Sequence, residues 1–151
     1  MVSTQQPKSN PLHRLARFVT KQAAAMMFNL KEDELYQVER WANIVYVHGR
    51  GVSKFVSYAD FPPTVEVAPP NEKDFAFWLK RWKKRQQAEQ KKQAPPFWVQ
   101  FFAHQFHNAP SMTELCNWGK LVGLIKFALT EATLQGLRES YCEEKLALEN
   151  F

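Results

Sequence analysis

Two histidines and one cysteine are the side chains in this sequence whose types would suit a metal ion. His104 and His107 are spaced as H-x-x-H, and Cys116 follows in the next helical pattern. A structural zinc ion takes four N or S ligands, and no second cluster in the sequence completes the set. We therefore expect no metal and no cofactor, and we interpret both histidines as polar edges of an aromatic helix.

Catalysis would require a nucleophile, a base and an orienting group that converge. The chain contains no G-x-S-x-G, no H-E-x-x-H and no D-x-D sequence. Residues 48–51 (HGRG) contain glycine but lack the Walker pattern and the strand–loop–helix setting of a phosphate-binding loop. We interpret them as a turn with one exposed arginine, and we expect a protein that is not an enzyme.

Residues 74–93 (DFAFWLKRWKKRQQAEQKKQ) combine aromatic and basic residues on one predicted helix. Four apolar residues of this helix fall within an arc of about 100° that should face the core, namely Phe75, Trp78, Leu79 and Trp82. The later positions on this face are polar. The pattern therefore predicts a buried first half, and a second half over residues 83–92 that projects into solvent.

The other side of this helix carries the predicted nucleic-acid-binding residues. Like charges at i,i+3 and i,i+4 spacing repel one another, and a phosphate backbone would relieve this repulsion with release of counterions. Phe77, beside two of the cations, could stack on an unpaired base. The predicted set is Phe77, Lys80, Arg81, Lys83, Lys84, Arg85, Lys91 and Lys92. A secondary basic surface is predicted at Arg14, Arg17, Lys21, Arg50 and Lys54.

Other interpretations of these features stay open. The basic helix could face an acidic protein surface, or it could be a solvated face with no partner. Its charge could also be matched within the molecule by residues 32–34 (EDE) or by the acidic C-terminal tail. In a different class of function, a protein–protein adaptor or regulator would use an exposed aromatic cluster around residues 78–102.

Composition indicates a folded, basic protein. The 151 residues carry a net charge of +5, which favours polyanionic partners, and 12 Phe and 5 Trp supply enough apolar area for a core. Cys116 and Cys142 are interpreted as reduced and buried, which is typical of a cytoplasmic protein. We expect no membrane association. The acid-free basic start also has the composition of an organellar targeting segment, and this alternative stays open.

The predicted fold is mainly α, a single compact helical domain of about five or six helices over residues 10–151, after a flexible N-terminus at 1–9. A first helix is expected from Asn10 to Phe28 and a second from Glu32 to about Asn43. One short β-hairpin is expected near residues 44–58, with a continuing helix as the rival. Residues 61–71 form a Pro-rich connector. An aromatic helix is expected over 97–106, a capping box opens another at Ser111, and a break is expected near Thr130.

These features predict a non-catalytic nucleic-acid-binding subunit that holds the phosphate backbone through a projecting basic helix. We expect a small helical component of a ribonucleoprotein or DNA-processing assembly, with RNA or single-stranded DNA and other protein subunits as partners. The sequence contains no zinc-finger, RRM or homeodomain pattern that would choose between RNA and DNA.

Overall fold

The computed structural model describes residues 13–85 and 93–150 of the chain. The chain divides within the Pro-rich connector into two compact units, Met1–Pro62 and Pro63–Phe151. The flexible segment expected at residues 1–9 lies outside the described residues, and a single domain over residues 10–151 stays a prediction.

The first unit combines a short helix with a three-stranded antiparallel sheet in the order β1-β2-β3. Its elements are a 3₁₀ turn at Ala16–Phe18, α1 at Lys21–Met27, a 3₁₀ turn at Glu32–Glu34, β1 at Leu35–Arg40, β2 at Val45–Gly49, β3 at Val52–Val56 and a 3₁₀ turn at Tyr58–Asp60.

The first predicted helix is interrupted, and its expected start at Asn10 lies outside the described residues. Thr20 adopts an extended backbone, and its side-chain oxygen accepts a hydrogen bond from the N–H of Ala23 at 3.1 Å. A threonine that caps a helix in this way cannot also continue a helix from the preceding residues. The α-helix therefore covers only α1, and its predicted end near Phe28 is confirmed.

The second predicted helix, from Glu32 to Asn43, is wrong. Its acidic start forms only a single 3₁₀ turn, and the chain continues as β1. Val38 lies opposite Val47, and Arg40 lies opposite Val45, in the antiparallel pairing with β2. Over so short a stretch, the spacing of the apolar residues is compatible with an α-helix and with a β-strand. Backbone pairing with β2 stabilises the strand.

The hairpin predicted near residues 44–58 is confirmed, and the rival helix is wrong. In β2 and β3, Val45 lies opposite Val56 and Gly49 lies opposite Val52. Gly51 in the turn has φ +72°, a left-handed conformation that glycine tolerates well. The sheet differs from the prediction in having β1 as a third strand.

The second unit is helical, and the chain as a whole is mainly α, as predicted. It contains α2 at Glu72–Arg85, α3 at Phe97–Asn108, α4 at Met112–Ile125, a 3₁₀ turn at Lys126–Ala128 and α5 at Glu131–Glu149. Together with α1 this makes five α-helices in the described residues, within the predicted number.

Side-chain caps fix where α4 and α5 begin, close to the predicted positions. Ser111 accepts the N–H of Glu114 at 3.2 Å, and Thr130 accepts the N–H of Thr133 at 3.2 Å. The break expected near Thr130 is confirmed, because a 3₁₀ turn and an extended Leu129 separate the two helices. Both helices thus start at residues whose oxygens satisfy free backbone N–H groups.

The helices α4 and α5 pack against each other beside Gly119. The hydroxyl of Tyr141 donates to the Sγ of Cys116 at 3.6 Å, and the Tyr141 ring covers the Gly119 backbone. Cys116 and Cys142 are both free, as predicted, but the predicted burial is wrong: Cys116 is half-buried and Cys142 is exposed. An apolar cavity of about 580 Å³ lies along α4 and α5, and Gly123 is one of its lining residues.

The two glycines of α4 should respond in opposite ways to alanine. A Cβ on Gly119 would lie 2.7 Å from Cε2 of Tyr141, whereas a Cβ on Gly123 meets no atom within 4 Å. We expect Gly123→Ala to raise the free energy of unfolding by about 0.5–1 kcal/mol, because alanine favours the helix. Gly119→Ala should lower it, because overpacking costs about 1–3 kcal/mol. Urea denaturation of both variants checks this, and equal stabilisation by both would contradict the packing described.

Candidate nucleic-acid interface

Three tryptophans fix the inner face of α2. Trp78 and Trp82 stack with ring centroids 6.1 Å apart and an interplanar angle of 4°. Trp98 of α3 meets both rings edge-on, at 5.2 Å and 5.0 Å. All three side chains are at most 1% exposed. The predicted burial of the first half of this helix is therefore confirmed at its tryptophans, while Phe75 and Leu79 are half-buried.

In the described part of residues 78–102, the aromatic cluster predicted as exposed is mostly buried. The tryptophan cluster (Trp78, Trp82 and Trp98) is buried, Phe101 and Phe102 are also fully buried, and Phe97 is half-buried. Phe101 and Phe102 both meet Trp118 of α4, at 5.9 Å and 6.2 Å between ring centroids. Most of the rings predicted to anchor an adaptor are thus part of the core.

The outer face of α2 presents a row of cations to solvent. Every described side chain of the predicted basic set on this helix is exposed except Phe77, which is half-buried. The exposed members are Lys80, Arg81, Lys83 and Lys84, and Lys73 is exposed near the start of the helix. Acids occur only in the first turn, as Glu72 and Asp74. The side chain of Arg85, together with Lys91 and Lys92, lies outside the described residues.

A reciprocal cap gives α2 its fixed start. The side chain of Asn71 accepts the N–H of Asp74 at 3.0 Å, and the Asp74 carboxylate accepts the N–H of Asn71 at 3.0 Å. Asp74 is fully buried. One of the two acids near the start of the helix is therefore engaged in the cap and does not offset the exposed cations further along.

Within the described ranges, the α2 cations are not matched by acidic residues. None of Lys80, Arg81, Lys83 and Lys84 forms an ion pair with a residue described by the structure. In the acidic C-terminal helix, Glu144 lies 3.1 Å from Nδ1 of His107 instead. The cations of α2 are therefore available to an external anion.

The predicted secondary basic surface is only partly available. Arg14, Lys21 and Lys54 are exposed, whereas Arg17 is half-buried, with its guanidinium 4.3 Å from the centroid of the Phe18 ring. Arg17 also donates to the carbonyl oxygen of Arg14 at 3.4 Å.

Arg50 is engaged by an acid of the same unit. Its guanidinium lies 3.1 Å from the carboxylate of Glu34. The N–H of Lys31 and this guanidinium hold the pKa of Glu34 below its ordinary value. The turn arginine therefore brings little free positive charge to a ligand.

The sequence did not predict a row of aromatic rings on the outer face of the sheet. This aromatic face consists of Tyr36, Trp41, Tyr46, His48 and Phe55. Tyr36, Trp41 and Phe55 are 60%, 45% and 51% exposed. The alternation of Val45, Tyr46, Val47 and His48 indicates that Tyr46 and His48 share one face, but the helix predicted from Glu32 to about Asn43 leaves Tyr36 and Trp41 without a place on a sheet.

The residues considered for a metal do not converge. His104 lies 2.8 Å from the side-chain amide of Asn108, and His107 contacts Glu144. No group of three or more His, Cys, Asp or Glu residues in the described ranges is placed to hold a metal ion.

Comparison of the chain with protein-family models, with curated proteins and with solved structures gave no match. Among the helices of residues 13–85 and 93–150, none is both long and apolar enough to cross a membrane.

Two tryptophans with opposite exposure test the assignment of core and surface. Trp98→Ala should lower the free energy of unfolding by about 3–5 kcal/mol, because it leaves a large cavity between α2 and α3. Trp41→Ala, at an exposed ring that meets the edge of Phe55 and donates one hydrogen bond to exposed Glu39, should cost about 1 kcal/mol. Urea denaturation monitored by circular dichroism measures both. Similar losses for the two variants would contradict the assignment.

Proposed function

We propose that this chain is a non-catalytic, cytoplasmic nucleic-acid-binding subunit that holds a phosphate backbone with the outer face of α2. The observation that carries the proposal is the row of exposed cations at Lys80, Arg81, Lys83 and Lys84, with no acid over residues 75–85. Each phosphate neutralised by a lysine or arginine releases counterions, which provides affinity without base recognition.

The attachment of α2 supports this role. The tryptophan cluster holds the inner face, so the helix can present like charges at adjacent turns despite their mutual repulsion. A helix that is fixed by packing loses little conformational entropy when a polyanion binds to it. Half-buried Phe77 precedes Lys80 and Arg81 by three and four residues, which places it beside them on the helix, where it could contact a base or sugar.

Single-stranded nucleic acid, as RNA or DNA, fits this surface better than a sequence-specific duplex site. Bases that are not paired can approach aromatic rings, whereas duplex reading requires an element that fits a groove. The small size and the absence of a sequence-reading motif suggest one subunit of a ribonucleoprotein or DNA-processing assembly, with other protein subunits as further partners.

Neutralisation of two α2 lysines tests the proposal. We expect Lys80→Gln/Lys84→Gln to weaken binding of a single-stranded oligonucleotide and to reduce the slope of log K against log salt by about 1.4, or about 0.7 for each lost phosphate contact. Fluorescence anisotropy at several salt concentrations measures both quantities.

A matched control variant has the same change in net charge, but the two substitutions lie on helices other than α2. Lys120→Gln/Lys145→Gln removes two exposed lysines of α4 and α5 and should leave the slope close to that of the unmodified protein. Equal slopes for the two double variants would show that only overall charge matters, and unaltered binding by Lys80→Gln/Lys84→Gln would refute the proposed role of α2.

A further inference from the structure

The two faces of the β1–β3 sheet differ in side-chain type. The inner face carries the aliphatic residues, which include the fully buried Val45 and Val47, and it also carries Arg40 and Lys54 in register beside these valines. The outer face carries no aliphatic residue within the three strands. Its members are Gln37, Glu39, Tyr46, His48, Ser53 and Phe55, together with the rings of Tyr36 and Trp41.

The rings of the aromatic face form a connected series. Tyr36 meets His48 edge-on at 5.3 Å, and Tyr46 lies 6.4 Å from His48 and 5.1 Å from Phe55. Trp41 meets Phe55 edge-on at 5.0 Å. Tyr36 and Trp41 are five residues apart, a separation that spans about 16 Å in extended chain. The exposed π surface is therefore extended rather than a single isolated ring.

Two backbone features place the outermost rings. The pairing of β1 with β2 shifts register between Leu35 and Gln37, and this β-bulge allows Tyr36 to reach His48 on the outer face. At the other end, the hydroxyl of Tyr58 donates to the carbonyl oxygen of Trp41. Burial raises the pKa of Tyr58 and so keeps that donor protonated.

Hydrogen bonds also hold two of the rings and the acid between them. The indole N–H of Trp41 donates to Glu39 at 2.9 Å, and the amide of Gln37 donates to the same carboxylate. The hydroxyl groups of Tyr46 and Ser53 are 2.5 Å apart. The negative charge on this face is thus engaged by donors, and the ring orientations are fixed before any ligand binds.

We propose that the aromatic face stacks the bases of a single-stranded nucleic acid. The inference rests on the proposed function and adds a base-binding surface in the Met1–Pro62 unit. Flat π surfaces without aliphatic neighbours suit nucleobases, because every base offers a π face whatever its sequence. The unit also carries eight Lys and Arg against five Asp and Glu, a net charge of +3, which favours a polyanion over an acidic or neutral peptide.

Oligonucleotides with and without bases separate stacking from phosphate binding. Fluorescence anisotropy should compare a labelled oligothymidine of about 16 nucleotides with an abasic strand of the same length. The unmodified protein should bind oligothymidine at least roughly tenfold more tightly, since one stacked base contributes about 5- to 140-fold. Trp41→Leu/Phe55→Leu keeps apolar area but removes two rings, and it should lose most of this preference without weakened binding of the abasic strand.

The control variant is Phe127→Leu, which removes an aromatic ring that is 47% exposed outside the sheet. It should retain the preference for oligothymidine. Circular dichroism and thermal unfolding verify that the sheet variant is folded. Tyr36→Leu provides a second variant at the most exposed ring of the face, with a smaller loss of preference expected in the same direction.

Four results would overturn the inference. Equal binding of both strands by the unmodified protein would leave the proposed function intact and remove base stacking. If both Trp41→Leu/Phe55→Leu and Tyr36→Leu keep the preference for oligothymidine, that preference belongs to another surface. If these variants lose self-association but bind oligonucleotides unchanged, the aromatic face is a protein contact. No binding of either strand would refute the proposed function as well.

Discussion

The packing of Trp98 against the stacked pair Trp78 and Trp82 is the interaction on which the exposed row of cations on α2 depends. Indole rings bury a large area each and fix the rotation of α2 about its axis. With this face held inside, the lysines and arginines on the opposite side must point outward. A helix with so many like charges would be a poor autonomous structure, and its order comes from tertiary packing.

Aromatic residues have two different roles in the two units. In the Pro63–Phe151 unit they fill the core, because rings such as Phe101 and Trp118 pack edge-to-face between helices. In the Met1–Pro62 unit, Phe18, Tyr58 and Phe61 are buried as well, whereas the rings of the aromatic face lie on the solvent side of the sheet. Aromatic residues thus stabilise both units, and in the first unit a second set is exposed, which composition alone does not distinguish.

Local signals explain which parts of this structure could be predicted from the sequence. Ser111 and Thr130 are caps that act over three residues, and the end of the apolar stripe at Trp82 correctly indicated exposed lysines at 83 and 84. Local signals could not predict that residues 35–40 form a strand, because this strand depends on pairing with β2. The bulge beside Tyr36 has no sequence signature. The aromatic face was missed because it requires β1 to be a strand.

We propose that a phosphate backbone binds along the outer face of α2. Mapping of amide chemical shifts by NMR during titration with a single-stranded oligonucleotide tests this binding most directly, since each backbone N–H reports its own surroundings. We expect shift changes that include Lys80 to Lys84 and that disappear as salt is raised. Shift changes that spare α2, or that persist unchanged at high salt, would contradict it.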